Sequence, residues 1–105
     1  MNNALEDIVL YIKNSNDYKM CIELKEKMSK NKDLCSLIEE IKNTQKKYVK
    51  SNYDENIKKE LDILENKLNE IPIYVIYMQH LNRVNEMINL VKDELNDYFY
   101  KLLNE

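Results

Sequence analysis

Apolar residues recur along most of the chain at alternating spacings of three and four, which places them on one face of a helix. We therefore expect an all-α protein, a helical bundle of four to five helices, that forms a single domain over residues 1–105. The repeats predict helices over about residues 3–14, 17–30, 33–50, 54–70 and 72–103.

Short polar segments separate the predicted helices. Residues 15–17 (Ser-Asn-Asp) can end the first helix and cap the second, and Asp54 can cap the fourth. Between the second and third helices, Asn31 can end one helix in the left-handed conformation and Asp33 can cap the next. A single kinked helix through residues 31–33 is equally allowed by the sequence.

The last predicted helix carries the longest uninterrupted pattern. At 1.5 Å per residue, a helix over residues 72–103 is about 48 Å long, whereas a domain of this size has a radius of gyration of about 13 Å. We therefore expect that this helix either projects beyond its own domain or is covered by another chain, in a coiled-coil or bundle contact, with a homodimer as the first expectation. Its apolar a and d positions, called the seam from here on, are Tyr77, Leu81, Val84, Ile88, Val91, Leu95, Tyr98 and Leu102.

The tyrosines add to the case for an interface. The chain has eight tyrosines, one phenylalanine and no tryptophan. Tyrosine buries a large ring while its hydroxyl stays wet, which suits both cores and protein contacts. Core packing and interface contact remain equal alternatives for the four near the last helix, which are Tyr74, Tyr77, Tyr98 and Tyr100.

The composition excludes several classes of protein. The chain has no glycine and one proline, Pro72. Because only glycine takes positive backbone φ angles at little cost, glycine-rich phosphate loops and dinucleotide fingerprints are excluded. The formal net charge of −3, from 16 basic and 19 acidic residues, argues against a dedicated nucleic-acid binder.

Although the net charge of the chain is negative, it contains one local cluster of basic residues. It lies near the end of the third predicted helix, where cations are favoured by the helix dipole, so a solvated helix end is the simpler interpretation. The alternative is contact with RNA phosphates over residues 42–59, with Tyr48 and Tyr53 stacking on bases. The cluster consists of Lys42, Lys46, Lys47 and Lys50.

Metal binding and catalysis find little support. Cys21, Cys35 and His80 are the only soft ligands, and they lack the close pairing of structural zinc sites. We expect two reduced core thiols, with a redox or metal role as the alternative. We expect His80 at a core edge or on the surface, with a pH-sensitive interface contact as the alternative.

The acidic pairs do not form a di-metal pattern either. Residues 39–40 (Glu-Glu) and 93–94 (Asp-Glu) would need histidine partners on two helices, and the chain has one histidine. They are expected to form solvated helix faces. We therefore expect no catalytic residue, no cofactor and no metal, and thus a protein that is not an enzyme.

The location is expected to be cytoplasmic. Residues 1–7 are polar and acidic and do not resemble a secretory signal. The longest apolar run, residues 73–78, is too short to span a bilayer, so no membrane contact is expected. In the cytoplasm the thiols should stay reduced.

Three residues of the last helix carry a family resemblance. Pro72 opens the helix, Tyr77 follows five residues later and Asn85 eight residues after that. With residues 15–18 (Ser-Asn-Asp-Tyr) and 31–34 (Asn-Lys-Asp-Leu), the arrangement over about residues 5–103 resembles the YlbF/YmcA family of small helical bacterial proteins.

The chain also departs from the family pattern. The family often has asparagine before the proline and a small residue eight positions after it, where this chain has Ile71 and His80. Some members carry cysteines near the C-terminus and are linked to an iron-sulfur cluster. This chain has no cysteine after Cys35, which argues against cluster binding.

The resemblance implies a regulatory adaptor. Members of the family act with partner proteins to steer RNase Y in mRNA processing, and they influence competence, sporulation and biofilm formation. We therefore expect a self-associating, non-enzymatic regulator that binds partner proteins. The alternative function is a helical RNA-binding module that uses the basic cluster.

Overall fold

The computed structural model describes the backbone of residues 2–104 and the side chains of residues 6–104. Each helix begins and ends within one residue of its predicted bounds, and no strand occurs in the described part of the chain. The expected all-α fold is thereby confirmed. The helices are α1 (Asn2–Lys13), α2 (Asn16–Ser29), α3 (Lys32–Lys50), α4 (Glu55–Asn69) and α5 (Pro72–Leu103).

The helices divide into two compact units. The terminal unit comprises residues 1–23 and 77–105, and the central unit comprises residues 24–76. The helices α2 and α5 each contribute residues to both units. That the chain behaves as a single domain stays a prediction.

The central unit is organised by the packing of α3 against α4. The repeats of four and three residues place its apolar side chains on the facing sides of the two helices. Leu34 is the most deeply buried of them, with 1% of its surface exposed. The hydroxyl of Thr44, the buried polar residue of α3, donates to the Glu40 carbonyl at 2.8 Å. The buried residues of these helices are Leu34, Ile41, Thr44, Leu61, Leu64 and Leu68.

The joint between α2 and α3 is a break. The Asn31 side chain caps α3 by accepting the Leu34 N–H at 3.1 Å. Its φ of −91° and ψ of 103° are extended, so the left-handed conformation suggested for Asn31 is wrong. Asp33 lies inside the first turn and is not the cap, although its charge favours the positive end of the helix dipole.

Cys35 follows the buried Leu34 and points away from the core. It is exposed, so the expectation of a second core thiol is wrong, whereas Cys21 is buried as expected. The reason is local, because successive residues of a helix are turned about 100° from each other. The Cys35 Sγ lies 3.5 Å from the Met28 carbonyl oxygen and 3.7 Å from that of Ser29. The thiol therefore donates weakly to carbonyls at the end of α2.

The two thiols are expected to differ in reactivity. Burial raises the pKa of the Cys21 thiol, and the negative charge of Asp17 raises it further, so its thiolate is scarce at neutral pH. An aromatic disulfide reagent in excess should therefore modify Cys35 at least about tenfold faster than Cys21. Cys35→Ser should remove the fast phase of absorbance and leave the slow one. Equal rates for both thiols would contradict the burial of Cys21.

A Schellman motif ends α3 without glycine. Asn52 and Tyr53 have φ angles of 59° and 66°, a conformation that costs non-glycine residues about 1–2 kcal/mol each. The Tyr53 N–H donates to the Tyr48 carbonyl at 3.0 Å and the Asn52 N–H to that of Val49 at 3.2 Å. The rings of Tyr48 and Tyr53 meet edge to face at 5.3 Å. These contacts offset the strain.

The remaining caps follow the sequence rules. Asp54 caps α4 by accepting the N–H groups of Asn56 at 2.8 Å and Ile57 at 3.4 Å, as predicted. Ser15 caps α2 by accepting the Tyr18 N–H at 3.2 Å. Its hydroxyl also donates to the carbonyl of Ile12 at 2.6 Å, which ties the cap to the end of α1.

Candidate protein interaction surfaces

The C-terminal half of the seam of α5 is more exposed than its first half. Val84 is 6% exposed, while Tyr77, Leu81 and Val91 are partly buried. The other four seam residues are more exposed, at 39% for Ile88, 38% for Leu95, 62% for Tyr98 and 55% for Leu102. The rest of the chain therefore buries the first part of the seam more completely than the last part.

Other apolar side chains lie exposed near the same end of α5. Tyr98 and its neighbour Phe99 contact each other edge to face, with ring centroids 5.7 Å apart, and both are more than half exposed. Tyr100 and Leu103 are also exposed, at 69% and 81%. Of the four tyrosines near α5, Tyr74 and Tyr77 are partly buried, whereas Tyr98 and Tyr100 face solvent.

A shallow apolar cleft of about 330 Å³ lies within the terminal unit. The seam residues Ile88 and Val91 form one wall, and the other walls come from α1 and the start of α2. The middle of the seam thus lies across this cleft from the chain's own first helix. The lining residues are Ile8, Val9, Ile12, Lys13, Tyr18, Ile88, Val91 and Lys92.

A polar cluster joins the start of α2 to α5 in the same unit. The Asp17 carboxylate lies 2.8 Å from Nδ1 of His80 and 3.3 Å from Nη1 of Arg83. His80 and Asp17 are mostly buried, with 15% and 24% of their side chains exposed. Sequence reasoning placed His80 at a core edge or on the surface, and it missed the partner, which is 63 residues away.

Asp17 should stabilise the fold in a pH-dependent way. The hydrogen bond from His80 lowers the pKa of the Asp17 carboxyl below 3.8, burial opposes the change, and Arg83 adds to it. The pKa of Asp17 is lower in the folded chain than in the unfolded chain. Its contribution to stability is therefore complete above pH 3.8 and is lost as the pH falls through the pKa of the folded state. Asp17→Asn should therefore lower the melting temperature by a few degrees at neutral pH and by less under strong acid.

A matched variant controls that measurement. Asp93 is an exposed aspartate of α5, so Asp93→Asn makes the same chemical change outside the cluster. Thermal denaturation followed by circular dichroism across a pH series should show a pH-dependent difference for Asp17→Asn alone. A difference for Asp17→Asn that persists undiminished in strong acid would argue that packing, not charge, is responsible.

The predicted basic cluster is split between two flanks of α3. Lys42, Lys46 and Lys50 surround the exposed Val49 on one flank, together with Gln45. Lys47 instead lies on the opposite flank among glutamates. Lys47 is turned about 100° from Lys46 and about 60° from Lys50, toward the side of α3 that forms the groove with α4. Three of the four lysines therefore form the basic flank.

Lys58, which lies within residues 42–59, and the two tyrosines proposed for RNA contact have partners of their own. Lys58 donates to Asp62 at 2.7 Å, and this hydrogen bond raises the pKa of the Lys58 ammonium. Tyr48 and Tyr53 contact each other in the Schellman motif and are not arranged as parallel stacking platforms. The basic surface is therefore smaller than residues 42–59 suggested.

An acidic groove runs between α3 and α4 on the opposite flank. It has a volume of about 550 Å³, and Ile63 lies in it with 57% of its surface exposed. The expected solvated pair, residues 39–40, forms part of one wall. The lining residues are Ser36, Glu39, Glu40, Asn43, Thr44, Lys47, Glu60, Ile63 and Leu64.

Neither a metal cluster nor a membrane span is found in the described part of the chain. No group of three or more histidine, cysteine, aspartate or glutamate side chains is arranged to hold a metal ion within that part. None of its helices combines the length and apolarity needed to cross a bilayer. The surfaces that remain are the seam, the apolar cleft and the two flanks of α3.

The residues that carry the family resemblance keep their places in the fold. Pro72 is the first residue of α5, where its missing N–H is not needed by the helix. Tyr77 is partly buried and Asn85 is exposed on the same helix. Ile71, at the position before the proline, has no polar side chain with which to cap α5.

Comparison with known proteins gives a family assignment. No curated protein and no solved structure matches this chain. The family described as control of competence regulator ComK, YlbF/YmcA, matches residues 3–98, which include all but the first residue of α1, all of α2 to α4 and most of α5. The chain therefore belongs to the YlbF/YmcA family, whose description makes it a regulator of competence.

Proposed function

We propose that this chain is a non-enzymatic regulatory adaptor that self-associates through the seam and binds partner proteins such as a complex that modulates RNase Y. Such a role would act in mRNA processing and would place the chain in the cytoplasm. The observation that carries the proposal is the exposed end of the seam, where Tyr98 and Leu102 are more than half exposed.

The seam favours self-association for a physical reason. Each apolar side chain removed from water contributes about 25 cal/mol per Å² of buried area, and aromatic side chains contribute the largest areas. The heptad spacing that buries Val84 within the chain continues unchanged to Leu102. A second copy related by a two-fold axis could cover the open end of the seam with the same residues.

Family membership supports the regulatory part of the proposal. The family is described by control of a competence regulator, which is a role performed through other proteins. The described part of the chain also holds no cluster that could bind a metal ion. The polar groups that do converge, those of Asp17, His80 and Arg83, contact one another.

A binding experiment tests the adaptor role. Purified full-length chain should bind purified RNase Y from the same bacterium, alone or with the other family members of that organism, in biolayer interferometry. Deleting its gene should change the level of the competence regulator in that host. The adaptor proposal fails if no binding occurs in any combination and the deletion leaves the regulator unchanged.

Direct RNA binding remains the second candidate. The observation that favours it is the basic flank, where Lys42, Lys46 and Lys50 lie together. Fluorescence anisotropy with labelled single-stranded RNA at low salt should then show binding that weakens steeply as salt is added. Lys46→Glu with Lys50→Glu should abolish it. No anisotropy change at low salt would remove this candidate.

A further inference from the structure

The two flanks of α3 carry opposite charge. On the acidic side, Glu39 and Glu40 of α3 and Glu60 of α4 outnumber Lys47 around the exposed Ile63. The basic flank, which is defined by Lys42, Gln45, Lys46, Val49 and Lys50, has three lysines and no acidic residue. Both surfaces belong to the central unit, and each has an exposed branched apolar side chain among its charges.

The shapes of the two surfaces differ in a complementary way. The residues of the basic flank follow the spacing i, i+3, i+4, i+7 and i+8, so they form a single ridge along one helix. The acidic surface is a groove between two helices. An amphipathic helix that lays such a ridge into a groove is a recurrent mode of protein recognition.

We propose that the basic flank of one copy of the chain docks into the acidic groove of a second copy. In this contact the exposed Val49 meets the exposed Ile63, and the lysines on either side of Val49 meet the glutamates that line the groove. The contact is separate from the seam and goes beyond the adaptor role proposed above.

The symmetry of this contact has a consequence for assembly. Because it joins two different surfaces, it is head to tail, and each copy keeps one unused flank and one unused groove. Copies can therefore add in sequence until a rotation closes the ring. The seam contact, in contrast, pairs identical surfaces and stops at two copies.

The dependence of association on salt concentration distinguishes the flank-to-groove contact from the seam contact. Attraction between exposed charges is screened within about 8 Å at physiological ionic strength and within less at higher salt, whereas burial of apolar surface is not weakened by salt. Light scattering on the full chain should show a mass that grows with concentration at low salt and falls back at high salt. A mass that is independent of salt would overturn the proposed flank-to-groove contact and leave the seam proposal intact.

Charge-swapped variants test the partner surfaces directly. The flank variant carries Lys42→Glu and Lys46→Glu, the groove variant carries Glu39→Lys and Glu60→Lys, and both carry Leu95→Asp to disable the seam. Each alone should lose association by at least about tenfold, because like charges then face each other. Mixed together they should associate again in equal proportions, since the native flank of one meets the native groove of the other and the two swapped surfaces also have opposite charge.

The mixing result decides the proposal. Lys25→Glu with Lys101→Glu changes the net charge as much as the flank variant does, but at exposed positions outside both surfaces. This control should associate like its parent. Circular dichroism establishes that each variant is folded before it is mixed. Folded variants that form no complex on mixing at low salt would overturn the proposal.

Discussion

Replacing Leu34 with alanine is expected to lower the free energy of unfolding by about 3–4 kcal/mol. Leu34 is 1% exposed and lies in the first turn of α3, where its N–H is also held by the Asn31 cap. Alanine would remove the buried methyl groups and leave a cavity that the surrounding helices can only partly fill. Since small domains are stable by only about 5–15 kcal/mol, this is the largest single loss we expect from truncating a side chain.

Urea denaturation followed by circular dichroism measures this loss. Leu90→Ala is the matched control, because it is the same substitution in a helix. Leu90 is 65% exposed and lies outside the seam. The control should change the free energy of unfolding by no more than about 0.5 kcal/mol. Equal losses at both positions would contradict the burial of Leu34 and the packing of the central unit around it.

Local sequence rules predicted the helices and part of their boundaries well. The repeats of three and four residues depend only on neighbours along the chain, so they located all five helices to within one residue. The cap at Asp54 follows in the same way, because its side chain bonds to backbone two and three residues away. The joint before α3 was harder, since Asn31 and Asp33 are both good capping residues and only the structure decides between them.

The surfaces depended on information that local rules do not contain. The partner of His80 is Asp17, and no spacing rule connects two residues on different helices 63 positions apart. The acidic groove needs Glu60 of α4 beside Glu39 and Glu40 of α3, which follows from the packing of the two helices. A helical projection of α3 places Lys47 about 100° from Lys46 but only about 60° from Lys50, so the split of the lysines also depended on the packing of α4.

The absence of glycine restricts the backbone less than expected, because other residues of this chain also adopt positive φ angles. Asn52 and Tyr53 both adopt positive φ angles at the end of α3. Two hydrogen bonds and the contact between the Tyr48 and Tyr53 rings compensate for a conformation that glycine would adopt without strain. The lack of glycine therefore excludes loops that need close backbone approach to a ligand, but it does not exclude left-handed helix ends.

Replacing Leu95 with aspartate is expected to weaken the proposed dimer by at least about 100-fold. Leu95 is a seam residue that is 38% exposed in the isolated chain, so a charge there remains in contact with water when the chain is monomeric. In a seam covered by a second copy, the same carboxylate would be buried without a partner, which is strongly unfavourable. Val84 is unsuitable for this test, because it is 6% exposed and a charge there would unfold the chain itself.

Light scattering across a concentration series at high salt gives the measurement, since high salt removes the contribution of the charged flanks. The parent chain should have the mass of a dimer, Leu95→Asp that of a monomer, and both should have the same helical content. Leu90→Asp introduces the same charge on α5 outside the seam and should remain dimeric. If both variants dissociate, any charge on α5 disrupts the dimer and the seam is not its interface. A parent chain that is monomeric at every concentration would refute self-association by the seam. Only the combination of a dimeric control and a monomeric Leu95 variant assigns the interface to the heptad positions.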